Sequence, residues 1–244
     1  IIPWNSQMFL TAVKLAPALA MGNTIIIKAS EIAPTPLLEF AKIIDKVGIP
    51  KGVVNIITGF ADTCSKLLTS HPKINKIAFT GGVHTAKHIV RNSAENLSQI
   101  SLELGGKSPV VVFKDARKNN AINGIMASIF GAGGQSCIAG SRLYLQEEIY
   151  DEYLEELKNR VEEIEIGDPL STTTQLGPLA TLNQLQNIEE KIKQTKELGG
   201  KIITGGNKVD KFKNGYYFEP TIIECANHNL PVAENELFGP VLSV

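Results

Sequence analysis

The sequence predicts an α/β fold, a parallel Rossmann-like sheet covered by helices and followed by a second α/β domain. Three observations carry this expectation. Short apolar runs rich in β-branched residues alternate with stretches of helical period from Ile1 to about residue 105. The same alternation resumes on a smaller scale after Gly106. Polar residues gather where the strands end, which is where ligands lie on parallel sheets.

The elements follow in order. Ile1 and Ile2 lead into Pro3, Trp4 and Asn5, and a helical pattern runs from about Phe9 to Met21, stopped by Gly22. NTIIIKAS is a strand with a β-branched centre. A helix through Leu37, Leu38, Phe40, Ile43 and Ile44 ends at Gly48, and VVNIITG follows as a strand. A helix around Leu67 and Leu68 precedes the strand KIAFTG, and a helix from about His84 to Asn92 precedes the strand ISLELGG. The boundary between the domains, 1–105 and 106–244, is placed near Gly105. Beyond it come the strand SPVVVF, a helix through Ile122, Ile125, Met126, Ile129 and Phe130, and the strand RLYLQ. A charged helix from about Tyr150, a turn-rich connection over 167–179 and a polar amphipathic helix beginning near Leu182 follow. The strand KIIT, a strand through Phe218 and Ile222, and the closing segment ENELFGPVLSV complete the chain.

Composition narrows the function. The 244 residues are 43% hydrophobic, enough for a large core, and the 24 basic and 25 acidic residues leave a formal net charge of -1. That balance gives no reason to expect nucleic acid or a membrane surface as partner, and no apolar run approaches the ~18 residues of a bilayer span. Cys64, Cys137 and Cys225 are too few and too scattered for a disulfide framework or a zinc site. They point to a reducing compartment, and a cytoplasmic setting is expected. His84 and His88 stand one helical turn apart without a third ligand nearby, so a solvated helix face is expected there and no metal. The apolar ends, IIPW and VLSV, read as strands cut through, so the chain is expected to be a piece of a longer polypeptide, and inactive by itself.

The stretch GAGGQSCIAGSR, 131–142, sets Cys137 on a turn from helix to strand, where Gly133, Gly134 and Gly140 are expected to let a ligand approach the main chain. Such a thiol is either a nucleophile or, as most free cysteines are, a small buried hydrophobe. Three strand ends add polar groups: Trp4 and Asn5; Lys28, Ser30 and Glu31; and Thr80, Gly81 and Gly82 just before a helix. A helix entered through glycines is a natural anion site, because its unpaired N–H groups and its dipole both face the incoming phosphate. No G-x-G-x-x-G is present. The string GGKS at 105–108 lacks the earlier glycine of a phosphate-binding P-loop, since position 101 is Ser101. The pentapeptide ELGGK occurs at 103–107 and again at 197–201; the second copy reads as a helix C-cap, whereas Glu103 stands at the end of an apolar strand.

Taken together, PWN, KASE, FTGG, ELGGKSP, GQSC followed by AGSR, and ELFGPV resemble the aldehyde dehydrogenase superfamily in order and separation, across essentially the whole chain. The resemblance implies a nucleotide-binding domain, of which 1–105 is the later part, and a catalytic domain, 106–244, truncated at its C-terminal end. It implies a homo-oligomer in full-length form and NAD as cofactor, with NADP possible. Cys137 matches the family's nucleophile, Asn5 its oxyanion donor and Glu103 its general base. Lys28 and Glu31 match the groups that hold the adenine ribose, with Trp4, Ser30, Gly81 and Gly82 nearby in the cofactor site. Glu236 matches the group that holds the nicotinamide ribose, and Phe238 packs near the nicotinamide. The implied reaction oxidises an aldehyde to a carboxylic acid. One departure stands out: Gly82 replaces a common Ser, which removes a hydroxyl near the pyrophosphate. Transfer of the acyl group to coenzyme A is an alternative that the presence of Glu103 disfavours. A cysteine hydrolase would need His71, His84, His88 or His228 beside Cys137, and a non-catalytic fragment that only folds, binds nucleotide or pairs with another chain is a third reading.

Overall fold

The structure, a computed structural model, describes residues 1–244. The chain forms two compact units, Ile1–Gly105 and Gly106–Val244.

In the first unit, α1 (Gln7–Ala20) buries Thr11 and Leu15 one turn apart. The chain then turns at Gly22, whose φ of 74° a residue with a Cβ rarely adopts. Strands β1 (Ile25–Ala29) and β2 (Val54–Thr58) pair in parallel, with Ile27 opposite Ile56 and Lys28 opposite Ile57, and α2 (Thr35–Lys46) crosses between them. After a π-turn over Ala61–Ser65 and α3 (Lys66–Ser70), β3 (Lys76–Gly81) pairs in parallel with β4 (Gln99–Leu104), and α4 (Val83–Ser93) makes the crossover. Ile1 and Ile2 join the two pairs: the Ile2 N–H donates to the Lys28 carbonyl at 3.0 Å, and the Thr80 N–H donates to the Ile1 carbonyl at 3.3 Å. Apolar positions of the strands and of the helices that cover them supply the cores, Ile2, Leu15, Ile27 and Leu37 on one side of this junction and Ile77, Phe79, Ala86 and Ile89 on the other.

The second unit is built on a five-stranded sheet, ordered β5 (Pro109–Val112), β6 (Arg142–Leu145), β9 (Val241–Ser243), β8 (Thr221–Glu224), β7 (Lys201–Thr204). All neighbours are parallel except β7, which runs antiparallel to β8. Helix α5 (Lys118–Phe130) buries Ile122, Ile125 and Ile129, and α6 (Tyr150–Glu162) buries Tyr153, Leu157 and Val161 at successive turns of one stripe. Both pack with Val112, Leu143 and Leu242 of the sheet. Helix α7 (Leu182–Glu197) begins at Thr181, whose hydroxyl accepts the Gln184 N–H at 3.2 Å, and buries Leu185, Ile188 and Ile192 against Phe218, Ile223 and Leu237. Two details differ from the sequence reading. Phe218 lies ahead of β8, in an isolated bridge to Lys208, and a one-turn helix, α8 (Pro231–Glu234), precedes the ENELFGP segment. Pro231 at its first position fixes that turn and leaves too short a run for a periodic signal. No helix is long and apolar enough to cross a membrane.

Candidate active site

In the first unit the candidate groups stand at the carboxyl ends of the strands. Pro3, Trp4 and Asn5 leave the Ile1–Ile2 segment, and Ser6 takes the left-handed conformation (φ 48°) that turns the chain into α1. The Gln7 side chain fixes this corner by donating to the Trp4 carbonyl at 2.7 Å. Lys28, at the end of β1, is buried, and its ammonium meets the Glu31 carboxylate at 2.6 Å. Burial works to raise the Glu31 pKa, but the hydrogen bond and charge of Lys28 outweigh it and hold the carboxyl below its ordinary value. The Ser30 hydroxyl serves the same turn locally, accepting the Ile32 N–H at 3.3 Å.

Gly81 and Gly82 lead from β3 into α4, as the sequence predicts, and play different parts. A Cβ on Gly81 would strike the Phe79 ring at 2.5 Å, so the residue is small for packing. Gly82 caps α4 with no side-chain hydrogen bond and has open space where a Cβ would stand. The first turn of an eleven-residue helix is therefore accessible to an anion such as a phosphate.

Glu103 is exposed on β4, opposite Thr80 in the parallel ladder. The Thr80 hydroxyl accepts the Lys14 ammonium at 2.6 Å. Burial lowers the Lys14 pKa, and the charge of Glu103 opposes the shift. Lys14 was not singled out from the sequence, although a signal existed: it lies three residues after Thr11 and one before Leu15, the two buried positions of α1, so a lysine stands on an inward stripe.

In the second unit, α5 ends in a tight turn over Gly131–Gly134, in which Ala132 and Gly133 take left-handed angles, and Cys137 follows, half-buried, before β6. The loop is pinned on both sides of the thiol. The Gln135 side chain accepts the Ala180 N–H at 3.0 Å, the Gly140 N–H donates to Ser128 of α5 at 3.1 Å, and the Ser243 N–H donates to the Ser141 carbonyl at 3.0 Å. None of these bonds engages the Cys137 N–H. Two of the glycines serve packing, not ligand access. A Cβ on Gly134 would lie 2.1 Å from the Gly239 carbonyl oxygen, and one on Gly140 would lie 2.4 Å from Val110 and 2.6 Å from the Ser128 hydroxyl. The close approach of Gly134 to Gly239 brings the Cys137 loop against the FGP corner. There Phe238 is held in the left-handed region (φ 55°), and the Gln184 side chain, also missed in the sequence, donates to its carbonyl. Glu236, two residues earlier, accepts the Gly106 N–H; desolvation pushes its pKa up, against that bond and the nearby charge of Lys107.

The histidines do not make a dyad with the thiol in its own unit. His228 is turned to the Tyr144 hydroxyl at 3.2 Å. In the other unit His84 and His88 are exposed and meet edge-to-face at 4.8 Å, and the His71 Nδ1 accepts the Lys73 N–H. No group of three metal-ligating side chains is present.

Two α/β units, one offering a helix N-terminus and a Lys–Glu pair at its strand ends and the other a pinned thiol, define the chain as an α/β protein of the Rossmann-like dehydrogenase kind. It belongs to the aldehyde dehydrogenase family, whose model matches residues 1–244. It is 56% identical over 245 residues to (Z)-2-((N-methylformamido)methylene)-5-hydroxybutyrolactone dehydrogenase of Acinetobacter baylyi, a match that covers 100% of this chain and 50% of the relative. PnpE from Pseudomonas sp. WBC-3 superposes with a TM-score of 0.96 at 42% identity, over 99% of this chain and 50% of that one, and PnpE has also been solved in complex with nicotinamide adenine dinucleotide. Betaine aldehyde dehydrogenase of Staphylococcus aureus in complex with NAD+ gives a TM-score of 0.96 at 35% identity, over 99% of this chain and 48% of that one. The chain thus spans about half the length of these relatives.

Proposed function

We propose that the protein to which this chain belongs oxidises an aldehyde to a carboxylic acid with NAD as hydride acceptor, through a thioester on Cys137. The observation that carries the reading is the turn itself. A half-buried thiol is fixed between α5 and β6 by bonds to three separate segments, while its own N–H takes no part in them. A thiol that were only a small core hydrophobe would not need so rigid a mount.

Residues 1–105 act as the later part of the nucleotide-binding domain. The open first turn of α4 suits the pyrophosphate, and the Lys28–Glu31 pair suits the adenine ribose. A carboxylate at Glu31 repels a 2'-phosphate, which favours NAD over NADP. Residues 106–244 act as the catalytic domain, with Glu236 for the nicotinamide ribose and Phe238 beside the ring.

The Cys137 thiolate attacks the aldehyde carbon, and the oxygen that becomes an oxyanion receives the Asn5 amide and the Cys137 N–H. NAD, when bound, supplies the acceptor for the hydride that leaves this thiohemiacetal. The acyl group then remains on sulfur as a thioester. Glu103 takes a proton from water, the hydroxide adds to the thioester, and the carboxylic acid departs as the thiolate is restored. Glu103 also disfavours acyl transfer to coenzyme A, which needs no hydrolytic base.

Cys137→Ser tests the reading in the full-length protein. A hydroxyl of high pKa lacks the thiolate that attacks at neutral pH, so aldehyde-dependent NADH formation should vanish. Turnover near the wild-type rate would remove Cys137 from the mechanism.

A further inference from the structure

Lys107 follows two glycines in ELGGK, and the reaction as described makes no use of it. Its ammonium nitrogen is buried and has no hydrogen-bond partner in the protein, and the Nε of Arg142, a second cation nearby, shares that condition. Lys107 lines a small cavity of about 10 Å³ together with Gly134 and Ser136 of the Cys137 loop, Ser141, Glu236 and Gly239. The space is about that of one water molecule, so no substrate enters it. Its walls nevertheless join the thiol-bearing loop to the segment that carries Glu236.

We propose that Lys107 is a positioning residue for the cofactor, its buried ammonium steering the Glu236 carboxylate, which the neighbouring Gly106 N–H also grips, into place for the nicotinamide ribose. The inference rests on the reading of Glu236 given above. Two consecutive residues thus address one carboxylate, Gly106 through its amide and Lys107 through its charge. A surface carboxylate on a loop samples many rotamers, and a hydrogen bond plus a fixed charge on one side restricts them before the ribose arrives. The cation is held against its own preference. Desolvation, then the repulsion of Arg142, brings the Lys107 pKa down to about 8, while Cys225 and Glu236 oppose the shift. A buried ammonium without a hydrogen-bond partner costs stability, and such groups concentrate at functional sites. Glu236 is the carboxylate that its charge acts on, and Cys225 faces it as a thiol whose own pKa burial raises to about 11.

The test uses full-length enzyme and a double-mutant cycle read by NAD titration calorimetry and by KM. Lys107→Met should weaken NAD binding and raise its KM roughly tenfold, within the range of couplings between interacting residues, and leave the aldehyde KM within about twofold. In a Glu236→Gln background the same substitution should change NAD binding by less than about twofold, because the carboxylate it steers is gone. Equal weakening in both backgrounds, or no weakening in either, overturns the proposal. If Glu236→Gln by itself leaves NAD binding unchanged, the ribose reading of Glu236 falls and this inference with it. Lys107→Gln serves as the second variant with the same expectations. Failure of both variants to fold would show that the fold needs Lys107, and would overturn the positioning role.

Discussion

Glu103 and Thr80 lie opposite each other in the parallel pairing of β4 with β3, and the Thr80 hydroxyl on that ladder takes the Lys14 ammonium. The candidate base is thereby carried on a strand, not a loop, with an exposed carboxylate whose charge acts on the Lys14 ammonium of α1, bound to the ladder partner Thr80. Its position is set by backbone pairing, so its side chain can be changed without disturbing the fold. Glu103→Gln in the full-length enzyme should slow thioester hydrolysis by roughly 10²- to 10⁴-fold, the usual contribution of a general base. Stability should stay within about 0.5 kcal/mol of wild type, as for most surface changes. Rapid-mixing kinetics separates two roles: a burst of NADH before a slow phase assigns Glu103 to hydrolysis alone, and a lost burst adds activation of Cys137. Unchanged steady-state turnover would exclude Glu103 as the base.

Gly82 offers a gain of function. The open space beside its Cα and its extended backbone (φ -74°, ψ 150°) accept a side chain without strain. A serine there sets a hydroxyl at the mouth of the α4 N-terminus. Gly82→Ser should tighten NAD binding by roughly 2- to 10-fold, the value of one net hydrogen bond of about 0.5–1.5 kcal/mol, with an unchanged melting temperature. Weaker binding in calorimetry would mean that the phosphates lie elsewhere.

What the sequence reveals and what it hides divides along physical lines here. Strands such as TIIIKA and KIAFTG are apolar and β-branched because they are largely buried in sheets crossed by helices, and their period and punctuation betray them directly. Strand direction leaves no such trace, so the antiparallel run of β7 beside β8 could not be read from KIIT. The glycines of GAGGQSC announce a backbone without room for side chains, yet which neighbour occupies the room is a long-range fact. At Gly134 it is the carbonyl of Gly239, not a ligand. Lys107 stood in plain view inside GGKS, but its significance depends on Glu236, which only the folded chain brings near.

The contact between Gly134 and Gly239 gives a sharp structural prediction. Gly134 holds φ at 70°, and a methyl group there would overlap the Gly239 carbonyl. Gly134→Ala should therefore destabilise the protein by on the order of 2–4 kcal/mol through left-handed strain and overpacking. Because the displaced segments carry Cys137 and Phe238, activity should fall far more than the folded fraction does; displacements near ~1 Å can cost about a hundredfold. Thermal denaturation and turnover of the soluble variant, measured together, check both parts. A variant with wild-type melting temperature would show that the two loops separate easily.

The buried ammonium of Lys107 makes a prediction about stability that is independent of its role toward the cofactor. Its pKa falls from the ordinary 10.5 to about 8 on folding, so between these values the unfolded chain binds more protons than the folded one. Stability from this group therefore rises as pH climbs from about 8 towards 10.5, and below about 8 the full cost of burying the charge is present. Lys107→Met replaces the cation with an apolar chain of similar length, and at pH 7 it should raise stability by on the order of 1–3 kcal/mol, as replacement of buried charges by apolar groups often does. Relative to wild type the advantage should shrink steadily above pH 8 and be smallest near pH 10.5, a trend readable from melting temperatures of the two proteins measured in parallel across that range. A variant less stable than wild type at pH 7 would mean that the attraction of Lys107 to Glu236 outweighs its desolvation, and would reverse the sign of the whole pH trend.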